Sequence, residues 1–112
     1  MKKKKIDIPI YGGDLTIYHS KTLKYVRKKH KLVSTNGFDA ITFRTYAKNG
    51  YARYYLAFKK DVDAGIIAHE ALHIVSFIFQ DYKIKFQLKN DEPQCYLLEW
   101  IVKQVHEFID EK

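Results

Sequence analysis

Ile66-Ile67-Ala68-His69-Glu70-Ala71-Leu72-His73-Ile74-Val75-Ser76-Phe77-Ile78-Phe79 is apolar at almost every position except His69, Glu70 and His73. A helix that is apolar on all sides belongs in a core, so the stretch predicts a buried helix carrying three ionisable groups. Burying such groups without partners is costly, and their spacing says what partner suits them. Residues four apart lie one turn above each other, which puts His69 and His73 on one face. Two imidazoles held this way can share one Zn²⁺, and Glu70, rotated part of the way round, reaches a water beside the ion. The pattern is H-E-x-x-H, in which each residue type has a definite mechanical role.

Upstream of this stretch the periodicity is that of strands. Phe38 to Tyr46 and Tyr51 to Phe58 are rich in aromatic and β-branched residues and are joined through Lys48-Asn49-Gly50. Asn-Gly between two such runs signals a hairpin. Along the second run Tyr51, Arg53, Tyr55 and Ala57 point one way, and Ala52, Tyr54, Leu56 and Phe58 the other. Asp61 or Asp63 then caps the motif helix. Nearer the start, Ile6, Ile8 and Ile10 alternate, as do Leu15, Ile17 and His19 after Gly12-Gly13-Asp14, which predicts two more short strands with Pro9 marking an edge. Between the strand pairs, Leu23, Val26 and His30 recur at helical spacing over residues 21–32, with Ser20 or Thr22 as a cap. Ser34-Thr35-Asn36-Gly37 reads as a turn.

Downstream, Tyr82, Ile84, Phe86 and Leu88 alternate with polar residues and suggest an extended arm or short strand. Asp91-Glu92-Pro93 suits a first helical turn. Leu97, Leu98, Ile101, Val102, Val105, Phe108 and Ile109 then form an apolar stripe, so a helix from 92 to about 110 packs on the core. The fold class expected is α+β, with a small antiparallel or mixed sheet packed on the motif helix and the C-terminal helix. All of it fits one domain, residues 1–112, whose first five residues form a basic tail.

A catalytic zinc needs three protein ligands and an open position. Glu92, at the head of the last helix, is the candidate third ligand, with Asp91 and Cys95 as rivals. Glu92, Tyr96, Glu99, Lys103 and His106 follow at three- or four-residue spacing as a polar ridge, from which Glu99 would orient a ligand imidazole from behind.

His69-Glu70-Ala71-Leu72-His73, with Glu92 nineteen residues on, resembles the zincin metallopeptidases, and specifically the gluzincin branch, in which a downstream helical Glu completes the site. The chain is also similar, over about residues 38–110, to the very short zincin-like proteins of phages and bacteria. The resemblance implies a zinc-dependent hydrolase, a peptidase in which Glu70 activates the attacking water. It implies a peptide or protein substrate added as a strand along residues 51–58, with Tyr55, Tyr96 or His106 as oxyanion or substrate contacts. The alternative is a non-catalytic structural or interaction protein on the same scaffold, such as a phage virion or neck-ring component with protein assembly partners.

Charge and composition narrow the field further. Residues 1–60 carry +12 and residues 61–112 carry −5. The basic half invites nucleic acid or an acidic protein surface, yet no nucleic-acid motif accompanies it, and solvated Lys-rich faces explain it as well. The single cysteine, Cys95, rules out an internal disulfide. Asp7 and Pro9 interrupt any signal-peptide core, and the longest apolar run is too short for a bilayer. The expected location is the cytoplasm, or a virion if phage-encoded, without membrane association.

Overall fold

A computed structural model describes residues 1–34 and 37–111. Its elements, in order, are β1 (Lys2–Asp7), β2 (Asp14–Ser20), α1 (Lys24–His30), β3 (Ala40–Tyr46), β4 (Ala52–Lys59), α2 (Ala64–Asp81) and α3 (Glu92–Asp110). The four strands form one mixed sheet in the order β1-β2-β4-β3. The β1–β2 and β3–β4 hairpins are antiparallel, and β2 lies parallel to β4 between them. The fold is therefore α+β, as the periodicities predict.

Period-two alternation sends the two faces of the sheet to different partners. Leu15 and Ile17 of β2 and Ala52, Tyr54, Leu56 and Phe58 of β4 meet α2 and α3 in the main core. Tyr18, Tyr55 and Ala57 face the other way and pack under Leu23 and Val26 at α1. The turn between β1 and β2 depends on Gly13, whose φ is +82° and where a Cβ would lie 2.7 Å from the Ala52 carbonyl oxygen. Only glycine meets both demands at low cost.

Asp63 caps α2 by accepting from the Ile66 N–H at 2.8 Å. Ile67, Ala71, Ile74, Val75, Ile78 and Phe79 are its buried residues. Each large apolar side chain so buried contributes about 1.5–3 kcal/mol, against about 0–1 kcal/mol for an exposed ion pair. That stripe therefore sets the helix's orientation. One sheet and one helix cover only part of its circumference, so the expectation of burial on all sides fails. Ala68, His69, Leu72 and His73 lie on the uncovered side, with Leu72 46% exposed.

At its C-terminus α2 is clasped to the sheet through Asp81. Its carboxylate accepts from Tyr54 Oη at 2.5 Å, Tyr46 Oη at 2.6 Å and Arg44 Nη1 at 3.3 Å. Burial and this carboxylate raise the Tyr54 hydroxyl far above its ordinary pKa, so it stays a donor.

Other expectations need correction in detail. Residues 2–5 are part of β1 rather than a tail. The Lys2 ammonium donates to the carbonyls of Phe108 at 3.0 Å and Glu111 at 2.7 Å, at the end of α3, where the helix dipole favours a cation. Ile8 and Ile10 fall in the turn after the strand, and Ile10 is exposed at φ +69°. Residues 82–91 are irregular rather than a strand; Lys83 takes φ +56° and Ile84 N–H bonds Phe79 C=O at 2.8 Å. The turn expected over residues 34–37 falls partly on Thr35 and Asn36, outside the described residues.

Replacing Asp81 with Ala leaves a buried tyrosine hydroxyl unpaired and should cost about 2–4 kcal/mol in urea unfolding. A cost below about 1 kcal/mol would show that the clasp contributes little. His30, bonded to Tyr18 Oη at 3.0 Å, is held below its ordinary pKa by burial first and then by Lys29 and Lys3. The unfolded chain therefore binds this proton more tightly. Stability should be full above about pH 6.5 and fall as pH drops through that range. Urea midpoints should show an acid slope that flattens in His30→Gln.

Candidate functional site

On the uncovered side of α2 the two histidines converge. His69 Nε2 and His73 Nε2 are 3.3 Å apart, their rings edge-to-face with centroids at 4.9 Å. The separation is long for a hydrogen bond. It matches two donors about 2.0–2.1 Å from one tetrahedral ion, which stand about 3.3–3.4 Å from each other. The donor chemistry and spacing of this pair fit a zinc ion.

Glu70, half-buried next to the pair, points to the sheet, where Thr42 Oγ1 of β3 donates a short hydrogen bond to Glu70 Oε2. Ala40, Thr42 and Arg44 share the face of β3 turned toward α2, and Arg44 Nη1 also donates to Phe77 C=O at 3.2 Å. One edge-strand face thus fixes the Glu70 carboxylate, and it also holds the later turns of the helix.

His69, Glu70 and His73 line a groove of about 610 Å³ with apolar walls that include Phe38, Ile41 and Phe77. Toward the start of α2, His69 and Glu70 also border an adjoining depression of about 440 Å³ bounded by Phe38, Asp63 and Ile66. The three polar groups stand midway along a trough between α2 and β3. Strand β3 ends the sheet, so among the described residues no strand pairs with its outer edge.

The other expected site residues lie elsewhere. Tyr55 belongs to the opposite face of the sheet, stacked on Phe43 at 4.6 Å and next to His30. Residues 51–58 cannot accept an added strand, because β4 is already paired with β2 and β3. Pairing outside β4 moved the free edge to β3. On α3 the stripe of Leu97, Ile101, Val105 and Phe108 is buried, which turns the polar ridge to solvent. There the Glu92 carboxylate near Tyr96 raises its phenol pKa, Glu99 pairs with Lys103 at 3.5 Å and His106 with Asp110 at 3.3 Å. Glu92, Tyr96, Glu99 and His106 do not line the groove. Cys95 is exposed. Among the described residues, no group of three His, Cys, Asp or Glu is close enough to hold a metal. The structure unites His69, His73 and Glu70, and leaves Glu92 and Glu99 apart from them.

No local motif singles out Thr42 or the Phe38 wall. Thr42 was legible in part, since strand alternation puts it on the face with Ala40 and Arg44. No helix among the described residues is long and apolar enough to cross a membrane. Comparisons with protein-family models, with curated proteins and with solved structures find no match to this chain.

Thr42→Val keeps the shape of the side chain but removes the donor to Glu70. It should cost about 0.5–1.5 kcal/mol in stability and raise the disorder of the Glu70 side chain. Carbon-detected NMR of the Glu70 carboxylate should show a shifted resonance, and an unchanged one would mean that Thr42 does not hold it.

Proposed function

We propose that this chain is a zinc-dependent hydrolase, most specifically a peptidase of minimal build. The observation that carries the reading is the pair of imidazole nitrogens at zinc-chelate spacing beside a tethered carboxylate, midway along a trough bounded by a free strand edge. His69 and His73 would hold the ion, which when bound supplies Lewis acidity. Glu92 is the proposed third donor. In this structure Glu92 does not reach the pair, so that role requires the start of α3 to move toward α2.

The chain's own groups account for the rest. Thr42 holds one oxygen of Glu70, leaving the other to take a proton from the attacking water and pass it to the leaving amine. An extended peptide can add to the outer edge of β3 by main-chain hydrogen bonds, which replaces the strand 51–58 placement. Phe38 and Phe77 offer apolar contact to its side chains.

A second reading is an assembly protein on the same scaffold. The exposed apolar arm of Ile84, Phe86 and Leu88 favours it.

Calorimetric titration with Zn²⁺ and cleavage of a peptide library test the proposal together. Wild type should bind the ion, His69→Ala should weaken binding by about a hundredfold or more, and Glu92→Ala by about ten- to a hundredfold. Glu70→Gln should keep the ion and lose about 10²–10⁴ in cleavage rate. Zinc binding that is unchanged in His69→Ala overturns the metal site. Zinc binding without cleavage, identical in Glu70→Gln, favours the assembly reading.

A further inference from the structure

The opposite face of the sheet carries a second depression, of about 360 Å³, that plays no part in the proposed hydrolysis. Its walls come from three directions. The β1–β2 register sets Lys3 opposite Tyr18 and Lys5 opposite Thr16, and the β2–β4 register sets Asp14 opposite Arg53. Lys29 reaches in from α1. Because α1 has only 7 residues, it covers the Tyr18 end of this face and leaves the Asp14 end open.

Two features of the depression ask for a ligand. Four cationic side chains surround it, and the Lys3 and Lys29 ammonium groups are near enough that Lys29 pushes the Lys3 pKa down. The Arg53 side chain has no hydrogen-bond or ion-pair partner among the described residues. At the base lies Asp14, 3% exposed; its Oδ2 is 3.4 Å from Lys5 Nζ, but its buried Oδ1 has no partner. A buried carboxylate oxygen left unpaired is a costly exception. An anionic group relieves the crowded cations, and a hydroxyl donor satisfies the aspartate. One molecule that carries both does both.

We propose that this depression binds a small phosphorylated, hydroxyl-bearing molecule of the sugar-phosphate class, with its phosphate on Lys3, Lys29 and Arg53 and a hydroxyl donated to Asp14. A phosphate dianion suits several cations at once, and the guanidinium fork suits its paired oxygens. A continuous nucleic-acid strand fits less well, because Asp14 repels a run of phosphates and α1 closes one end of the depression.

Titration of the full chain with ribose 5-phosphate, inorganic phosphate, ribose and a single-stranded RNA oligonucleotide, followed by ¹H–¹⁵N NMR, tests this. Ribose 5-phosphate should bind about tenfold tighter than phosphate and shift the amides of β1, β2 and the end of α1. Lys29→Ala and Arg53→Ala replace exposed side chains. Each should weaken ribose 5-phosphate by about fivefold or more. Asp14→Asn should erase the preference for ribose 5-phosphate over phosphate, and His69→Ala should change nothing. Binding of neither phosphate nor sugar phosphate at millimolar concentration overturns the proposal, as does binding indifferent to Lys29 and Arg53. RNA that binds more tightly than the sugar phosphate, with affinity rising with length, overturns it in favour of a nucleic-acid surface.

Discussion

Everything on the α2 side of this molecule depends on how that helix is held against β4 and β3. Its apolar stripe sinks onto Tyr54, Leu56 and Phe58, and three donors from the sheet grip its final carboxylate at Asp81. Stripe and clasp together leave one rotation for the helix. In that rotation His69 and His73 look outward, and Glu70 meets the edge strand. Any turn of the helix that buried the imidazoles would draw Ile74 or Val75 out of the core. The polar motif is displayed because the apolar one is satisfied.

Much of this was readable from residues alone. Alternation in residues 40–59 identifies the two strands and which side chains share a face, since period two is unambiguous when aromatic and β-branched residues mark it. Helical spacing likewise locates α3 almost to the residue. What spacing does not carry is the order of strands in the sheet. A hairpin over residues 40–59 leaves either strand free to be the edge, and only the pairing of distant β2 with β4 decides it. That pairing is invisible to local pattern, which is why the open edge was expected one strand away from where it lies.

The third ligand shows the same limit. The polar spacing of Glu92, Tyr96, Glu99 and His106 correctly marks one ridge of a helix. A ridge has two places to go, toward a neighbour or toward water, and the apolar stripe of α3 chooses. Lys103 and Asp110 then become the partners of Glu99 and His106. The histidine pair was recoverable because i,i+4 geometry is internal to one helix and needs no tertiary information. Thr42, whose hydroxyl tethers Glu70, needed exactly the tertiary pairing that the sequence withholds.

The central position of β4 has a bearing on synthesis. During translation β1, β2 and β3 all leave the ribosome before the strand that must sit between β2 and β3. Until residue 59 emerges, the inner edges of β2 and β3 face solvent with nothing to pair them, and premature contact between the two would shut β4 out. The lysines of the first half lie outside these two strands; β2 carries Asp14 and β3 carries Arg44 as their only fully charged side chains, so no like charge keeps the two apart and exposed edges of this kind invite mispairing. Correct assembly of the sheet thus waits on its late central strand.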